Sequence, residues 1–349
     1  MKGERQYRPL LSTFRFLRTG FCLLPTAYCL LLSAFCLPAC GASWTRVPSG
    51  TMAWLHAVYF LDQDRGWVAG SNGTLLQTRD GGHSWQKVPL FVKDTLEDVY
   101  FADEETGWLL AERDPLRLKD GERPSYLLKT ADGGDSWQQV SLTIPDANTR
   151  PVRLVFTDPQ HGWLFGESGL VVATTDGGAH WQLQRSATRH LLLGAGFSDH
   201  ERGYLVGAAG SIMQTRDGGA TWRTNVLPDG AKLRLHAASA FGNSGWAVGE
   251  AGNILATRDD GHSWSSQHSA VAADLFDVRF LNAREGWIAG SQGTLLHTTD
   301  GGIHWLSEPI ETSHALERLF IADRDHIWAV GFGGVILKLG GTSAPQLRR

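Results

Sequence analysis

One eight-residue phrase recurs six times along the chain and constrains the fold more than any other feature of the sequence. Its pattern is T-x-D-[GD]-G-x-x-W, and its copies occupy residues 78–85, 130–137, 174–181, 215–222, 257–264 and 298–305. Successive copies start 52, 44, 41, 42 and 41 residues apart. A repeat of about 40 to 45 residues is typical of the four-stranded blade of a β-propeller rather than of a helical repeat.

The third residue of each phrase is an aspartate that can close a tight turn. A short carboxylate accepts hydrogen bonds from backbone amides two or three residues further on, and the glycines that follow supply positive φ at little steric cost. The final tryptophan starts the next strand and buries its ring. We therefore interpret the six aspartates as structural turn residues and not as catalytic acids: Asp80, Asp132, Asp176, Asp217, Asp259 and Asp300. Asp260 replaces a glycine of the phrase, so we expect strain in that turn.

A second phrase, Gly-Trp or a close variant, occurs seven times, once more than the aspartate turn. Its copies begin at Gly66, Gly107, Gly162, Gly203, Gly245, Gly286 and Ile327. The last copy is followed by one more apolar strand, 335–339, but by no aspartate turn and no fourth strand. The missing strand is at the other end of the chain, where residues 41–48 match residues 82–89. We predict an all-β, seven-bladed propeller with four-stranded blades, closed by the N-terminal strand completing the last blade.

The first 39 residues are typical of an export signal. A basic segment ends at Arg18, and an apolar run follows over 21–37. The run closes with Leu-Pro-Ala-Cys at 37–40, which resembles the lipobox of bacterial lipoproteins. We expect a signal peptide over 1–39 with cleavage before a lipidated Cys40, the propeller over 40–341 and a C-terminal tail over 342–349. An uncleaved membrane anchor is the alternative, and either reading gives an exported, tethered domain.

Charge and cysteine content bear on two other classes of protein. Removing residues 1–39 from the totals of 32 basic and 36 acidic residues leaves 27 and 35, a balance that does not favour nucleic-acid binding. All four cysteines lie within residues 22–40. The exported domain therefore relies on its core rather than on disulfides.

Catalytic and metal sites lack the expected sequence patterns. A glycosidase needs a carboxylate pair, or a nucleophile with an arginine cluster. We place the candidates Glu167 and Glu250 in blades three and six, far apart around a ring of seven. No H-x-x-x-H or C-x-x-C spacing occurs in the exported domain. We expect no catalytic residue, no metal and no cofactor. A glycan-binding or sialidase-like hydrolysing propeller is the alternative. The histidines of the aspartate turns lie in different blades and are not expected to converge: His83, His180, His262 and His304.

Charged residues near the start of the innermost strands mark a candidate binding surface. A charge beside a core strand is costly unless it reaches the channel or a partner. Salt bridges between blades are the alternative to a partner site. Counting ten residues back from the tryptophan of each Gly-Trp phrase, or from Tyr204 in the one copy without tryptophan, gives Ala57, Asp98, Arg153, Gly194, His236, Asp277 and Arg318. Arg279 lies two residues after Asp277. We predict that one channel mouth binds a partner through Arg153, Arg279, Arg318 and His236, balanced by Asp98 and Asp277.

The longest departure from the repeat is an insertion at 113–124, between the second and third strands of blade two. In a propeller this loop lies on the face that commonly carries ligands. Its many charges are also typical of a solvated, mobile segment.

The two phrases, at this period, resemble those of the photosystem II assembly and stability factors of cyanobacteria and chloroplasts. The resemblance covers about residues 43–339 and is carried by G-W-x-x-G followed by T-x-D-G-G-x-x-W. It implies a lumenal, seven-bladed, non-catalytic chaperone that holds a newly inserted reaction-centre subunit during assembly. It also implies an arginine-rich docking patch, which in this sequence falls on Arg153, Arg279 and Arg318.

The function expected from the sequence is therefore protein binding without chemistry. We expect a monomeric, lipid-anchored propeller on the periplasmic or thylakoid-lumenal side of a membrane. Its partner would be a membrane protein or a subunit of a membrane complex. That complex would be photosystem II if the organism is photosynthetic.

Overall fold

The computed structural model describes residues 43–142, 144, 149–225, 227 and 233–340. These residues form seven antiparallel sheets of four strands each. Each sheet is one blade. In blades one to six the first strand in chain order lies innermost, beside the central channel, and in blade seven the innermost strand is Leu316–Ile321. The predicted all-β, seven-bladed propeller is thereby confirmed.

The strands are named by their order within a blade, and the blades are numbered along the chain from one to seven. The first strands are Leu55–Phe60, Thr95–Phe101, Pro151–Phe156, Leu192–Phe197, Leu235–Phe241, Leu275–Phe280 and Leu316–Ile321. The second strands are Gly66–Gly70, Thr106–Glu112, Gly162–Gly166, Gly203–Gly207, Ser244–Gly249, Gly286–Gly290 and Ile327–Gly331. The third strands are Thr74–Thr78, Ser125–Ala131, Val171–Thr174, Ile212–Thr215, Ile254–Thr257, Leu295–Thr298 and Val335–Gly340. The fourth strands are Gln86–Lys87, Gln138–Val140, Gln182–Leu183, Arg223–Thr224, Ser265–Gln267, Leu306–Ser307 and, for blade seven, Ser43–Val47.

Short 3₁₀ turns join the second and third strands of five blades. Their middle residues take the left-handed conformation, for example Ser168 with φ 54°. No helix among the described residues has the length and apolar character needed to cross a membrane. The 3₁₀ turns are Glu167–Gly169, Ala208–Gly210, Glu250–Gly252, Ser291–Gly293 and Phe332–Gly334.

The two ends of the domain meet in one sheet, as predicted. Ser43–Val47 pairs antiparallel with Val335–Gly340, with Ser43 opposite Gly340 and Val47 opposite Ile336. The buried ring of Trp44 belongs to the same apolar cluster as Trp287 of blade six. The N-terminal strand therefore both completes blade seven and packs it against its neighbour.

The second strands form the most buried layer of the blades. Every residue of the strand Gly66–Gly70 is buried, because the faces of its sheet are covered by the blades on either side. The Trp67 ring stacks on Phe101 of blade two with centroids 3.6 Å apart. The core is thus a series of layers between neighbouring blades, and each Gly-Trp phrase supplies the large ring of one layer.

The aspartate turns are closed differently from the expectation. Asp80 Oδ1 accepts the amide of Ser84, four residues on, at 2.9 Å. The amide of Gly82 instead donates to the Thr78 hydroxyl, which in turn donates to Asp80. The amide of Gly82, which the sequence analysis assigned to the carboxylate, is thus bound by the threonine hydroxyl. A hydroxyl can accept one hydrogen bond while it donates another. In the same way, the backbone amide four residues on donates to the carboxylate of Asp132, Asp176, Asp217, Asp259 and Asp300.

Asp260 adopts the strained conformation that its sequence position predicts. Its φ is 54°, in the left-handed region that favours glycine. Its carboxylate lies 2.8 Å from Nε of Arg216, which belongs to the aspartate turn of the preceding blade. The strained residue therefore contributes an ion pair between two blades.

Candidate functional site

Every innermost strand carries a β-bulge close to its first residue, and together these bulges build one mouth of the central channel, here called the bulged mouth. The pairing with the second strand skips one residue, for example between Leu275 and Asp277 in blade six. A bulge leaves that residue unpaired and re-aims the side chains beside it. The skipped residues are His56, Glu97, Val152, Leu193, His236, Phe276 and Glu317. The residues that follow them are Ala57, Asp98, Arg153, Gly194, Ala237, Asp277 and Arg318.

The assignment of His236 to the same position as the other predicted residues was wrong. His236 is itself the skipped residue of blade five, and Ala237 pairs with Val248 in its place. The first hairpin of blade five is one residue shorter than that of blade one, so a count of ten residues overshoots by one. His236 nevertheless lines the bulged mouth, and its Nδ1 lies 3.0 Å from the carbonyl oxygen of Leu275 in the next blade.

Asp98 and Asp277 each join two neighbouring blades. Oδ2 of Asp98 accepts the backbone amide of Leu154 at 2.9 Å, and Oδ2 of Asp277 accepts that of Leu319 at 2.9 Å. Asp277 is only 1% exposed. These contacts favour the alternative interpretation, contacts between blades, for the two aspartates.

Arg153 and Arg318 are held inside the bulged mouth by acidic neighbours. Nη1 of Arg153 lies 3.8 Å from Glu97 and 4.0 Å from Asp98. Arg318 is 7% exposed. Burial lowers the pKa of Arg153. Burial acts in the same direction on Arg318, but the carboxylates of Asp277 and Asp98 outweigh it and raise the pKa of that guanidinium.

Arg279 is the most accessible of the three predicted arginines. Its side chain is 41% exposed, although its Nε lies 3.2 Å from Oδ2 of Asp277. Together with Asp98 and Arg318 it lines a channel cavity of about 390 Å³. Arg279 can therefore meet a group that enters the channel while it keeps its contact with Asp277.

Three titratable residues of the bulged mouth were missed by the sequence argument: His56, Glu97 and Glu317. Burial, aided by Arg153 and Arg318, lowers the pKa of His56 to about 4, so its imidazole is neutral at physiological pH. Burial raises the pKa of Glu317. Glu97 directly precedes Asp98, and Glu317 directly precedes Arg318, the charged residues that the sequence predicted. Two adjacent charges in an apolar strand were the signal that could have found them.

Both signs of charge are present at the bulged mouth. The arginine-rich patch that the resemblance implies is therefore largely compensated by carboxylates in this chain. The acidic residues are Glu97, Asp98, Asp277 and Glu317, and the basic ones are Arg153, Arg279 and Arg318.

An exposed apolar group, here called the seam cluster, borders the bulged mouth where blades one and seven meet. It consists of Trp54 and Phe332, which are 40% and 48% exposed, and the exposed Met52 precedes Trp54 by two residues in the chain. The Trp54 ring lies edge-on to Phe332 and stacks on His56, with centroids 5.4 and 5.3 Å away. Its Nε1 donates to Glu317 at 3.0 Å. Large exposed apolar side chains beside charged ones are typical of protein-binding surfaces.

The two glutamates considered for glycan hydrolysis do not form a pair. Glu167 and Glu250 start the 3₁₀ turns of blades three and five, with blade four between them, so the placement of Glu250 in blade six was wrong. Each faces an arginine of its own, Arg150 at 3.1 Å and Arg234 at 3.8 Å. Glu167 and Glu250 therefore do not supply the two carboxylates flanking one bond that glycoside hydrolysis uses.

The histidines of the aspartate turns contact their own turns. Nδ1 of His180 and Nδ1 of His304 lie 2.7 Å from the carboxylates of Asp176 and Asp300. Nδ1 of His83 and Nδ1 of His262 contact the carbonyl oxygen of the aspartate in their own turn. These four imidazoles do not converge.

The insertion at 113–124 is anchored at its base. The Arg113 guanidinium lies 4.1 Å above the Tyr126 ring, and Arg123 donates to the carbonyl oxygen of Ile144 at 3.2 Å. Leu116 near its tip is exposed. The predicted signal peptide over 1–39, the lipidation site Cys40 and the tail over 342–349 lie outside the described residues.

Comparison with known proteins gives a family match over most of the chain. The model of the family described as photosynthesis system II assembly factor YCF48 matches residues 39–145, 181–272 and 264–343. Photosystem II assembly lipoprotein Ycf48 of Synechococcus sp. (strain CC9902) is 43% identical over 54 residues. That match spans 15% of this chain and only 16% of the length of the relative.

Two solved propellers superimpose on nearly the whole domain. YCF48 from Cyanidioschyzon merolae has a TM-score of 0.70 at 20% identity and covers 86% of this chain and 99% of its own. The structure of YCF48 bound to D1 peptide has a TM-score of 0.71 at 22% identity, with 85% and 97% covered. At these identities the similarity establishes the common fold.

Proposed function

Because the chain belongs to the photosynthesis system II assembly factor YCF48 family, we propose that it is an assembly factor that binds a peptide segment of a membrane-complex subunit. It acts without catalysis, as a monomer. Its N-terminal Cys40 carries a lipid anchor that holds the propeller on the exported side of a membrane. The relative named as a photosystem II assembly lipoprotein supports both the anchor and the class of partner.

The observation that carries this proposal is the position of the seam cluster beside the bulged mouth. Trp54 contacts Glu317 through its indole nitrogen and Phe332 through its ring, yet 40% of it is open to solvent. Aromatic residues supply much of the binding energy at protein interfaces. The peptide lies with an apolar side chain on the seam cluster and an acidic group or its carboxylate end toward Arg279, the accessible cation.

Photosystem II is the partner complex if the organism is photosynthetic. A related propeller is known as YCF48 bound to D1 peptide, which supports a D1 segment as the ligand. In an organism without photosystem II the same surface serves a subunit of another envelope complex.

Fluorescence anisotropy with a labelled D1 peptide tests the proposal. Trp54→Ala combined with Arg279→Glu weakens binding by about tenfold or more, since hot-spot residues contribute about 2 kcal/mol or more each. The matched control is Ile303→Ala with Arg79→Glu, which changes an exposed apolar residue and an exposed arginine of the aspartate turns on the opposite face. Equal affinity of the two double variants would move the site away from the bulged mouth.

A glycosidase assay tests the non-catalytic part of the proposal. The purified protein leaves a panel of fluorogenic glycosides unhydrolysed. Turnover that disappears in Glu167→Gln or Glu250→Gln would establish the hydrolase alternative instead.

A further inference from the structure

Two histidines and an aspartate from neighbouring blades meet at the end of the channel opposite the bulged mouth. Asp158 and His161 lie in the hairpin between the first and second strands of blade three, and His200 lies in the same hairpin of blade four. Nδ1 of His161 is 2.9 Å from Oδ2 of Asp158, and Nδ1 of His200 is 4.0 Å from the same oxygen. The two imidazole rings stack with centroids 4.6 Å apart. One donor atom from each residue fits within 4.8 Å of the other two.

We propose that Asp158, His161 and His200 bind a divalent transition-metal ion of the Zn²⁺ class. Two imidazoles and one carboxylate are a donor set for Zn²⁺ and its neighbours in the first transition row, whereas Ca²⁺ and Mg²⁺ take oxygen ligands. The His200 side chain is 51% exposed, so water supplies the fourth ligand. The ion would join blade three to blade four.

Metal binding requires movement chiefly at His200. Zn²⁺ bonds to nitrogen and oxygen are about 2.0–2.1 Å long, so tetrahedral ligand atoms lie about 3.3 Å apart. Asp158 and His161 are already within that separation. The nitrogen of His200 has to approach Asp158 by less than about 1 Å, and its ring, stacked at 20° to that of His161, has to turn until both nitrogens point at one ion. A half-exposed side chain is free to rotate in this way.

The carboxylate that would bind the ion is held in place by the backbone. Oδ1 of Asp158 accepts the amides of Gln160 and His161 at 2.8 and 3.0 Å. Nδ1 of His161 lies 2.9 Å from both carboxylate oxygens, and Nδ1 of His200 lies 4.0 Å from Oδ2. Hydrogen bonds that fix a ligating group from behind are a regular feature of metal sites.

The chain contains a second turn of the same kind, which shows what the aspartate–histidine pair does without a second imidazole nearby. In blade seven, His326 Nδ1 lies 2.8 Å from Asp323 Oδ1, as in the Asp158 and His161 pair. The position of His200 in the following blade, which is blade one, is taken by Gln63. An aspartate–histidine pair alone therefore belongs to the turn. His200 adds the second imidazole, and among the described residues the polar contact of its side chain is with Asp158.

Titration of the full chain with Zn²⁺ and Co²⁺ tests the site. The protein carries no affinity tag, and its four cysteines, all within residues 22–40, are replaced by serine because thiolates bind the same ions. Calorimetry gives one Zn²⁺ per chain, and Co²⁺ gives the absorption bands of a low-symmetry site. Zn²⁺ also raises the unfolding temperature, because it binds the folded state.

Two variants complete the test. His200→Asn weakens Zn²⁺ binding by about tenfold or more and removes the increase in unfolding temperature, while His326→Asn leaves both unchanged. Circular dichroism confirms that both variants fold. Equal Zn²⁺ affinity in His200→Asn and in the parent chain, equal losses in the two variants, or no binding up to about 1 mM Zn²⁺ would each overturn the proposal.

Discussion

The Phe60 ring of blade one stacks on Trp328 of blade seven, with ring centroids 3.6 Å apart and planes inclined by 17°. The stack of Trp67 on Phe101, between blades one and two, has the same centroid distance and an angle of 12°. The layer that closes the ring is thus packed like a layer between consecutive blades. Val47 of the N-terminal strand belongs to the same buried cluster as Phe60 and Trp328, so this strand contributes to the closing layer.

Trp44→Ala should destabilise the propeller by about 3–5 kcal/mol, the usual cost of removing a large buried aromatic ring. The ring of Trp44 is buried in the cluster that joins blade six to blade seven. Urea denaturation of the variant measures the loss. The control is Arg46→Ala, an exposed position on the same strand, which should change the free energy of unfolding by less than about 0.5 kcal/mol. If the two variants lost similar, small amounts of unfolding free energy, the N-terminal strand would stabilise the propeller by its backbone pairing alone.

Asp277→Ala should cost about 1–3 kcal/mol of stability, because it leaves the buried amides of Leu319 and Val278 without their acceptor. Asp277→Asn keeps an acceptor oxygen and should cost less. Denaturation curves of the two variants, with the exposed Asp120→Ala as control, measure the difference. Equal stability of Asp277→Ala and Asp120→Ala would show that the bond between blades six and seven is not needed.

Arg318→Glu should impair folding rather than binding alone. The guanidinium is buried and faces Asp277 and Asp98, and a reversed charge there places three carboxylates together. Breaking a buried charge arrangement costs about 3–5 kcal/mol. Arg279→Glu, whose side chain is 41% exposed, should fold like the parent chain. Thermal unfolding of both variants measures this contrast, and an unchanged melting temperature for Arg318→Glu would contradict it.

The free energy of unfolding should fall on acidification in two steps. His56 has a folded pKa of about 4, below its unfolded value, because of burial, Arg153 and Arg318. The unfolded chain therefore binds a proton first, and stability is lost as the pH falls from about 6.5 to 4. His56→Gln should remove much of this step. Chemical denaturation at pH 7, 5.5 and 4 measures it, and an identical slope in His56→Gln and the parent chain would contradict the assignment.

Below about pH 4 the aspartate turns should produce the second step. Hydrogen bonds from Ser136 and Thr130 lower the pKa of Asp132 to about 2, and the amide and imidazole of His180 do the same for Asp176. A carboxylate with a lowered folded pKa stabilises the fold above its unfolded pKa and loses that contribution as the pH falls through the folded value. Asp132→Asn should make the decline between pH 4 and 2 shallower. A parent chain equally stable at pH 4 and 2.5 would refute the prediction.

The bulged mouth shows where reasoning from the repeat reached its limit. The repeat located the charged positions because their distance from the Gly-Trp phrase is almost constant. It failed at His236, where a hairpin one residue shorter shifts the register. It also treated each strand as regular and therefore missed Glu97 and Glu317, which project at the bulges. The residue skipped at the bulge varies among His, Glu, Val, Leu and Phe, so its type does not predict the bulge.

The sequence by itself determined the number of blades, the four strands of each, the closure by the N-terminal strand and the positions of the aspartate turns. These features follow from local turn chemistry repeated at a fixed period. The tertiary structure decided which charges face each other: Asp277 meets Leu319, and Asp158 meets His200, across blade boundaries. Such contacts join residues that are about one repeat apart in sequence. Equivalent residues of all neighbouring blades have this same separation, so the separation does not indicate which pairs form a contact. Only the twist and packing of the blades select which side chains come within bonding distance.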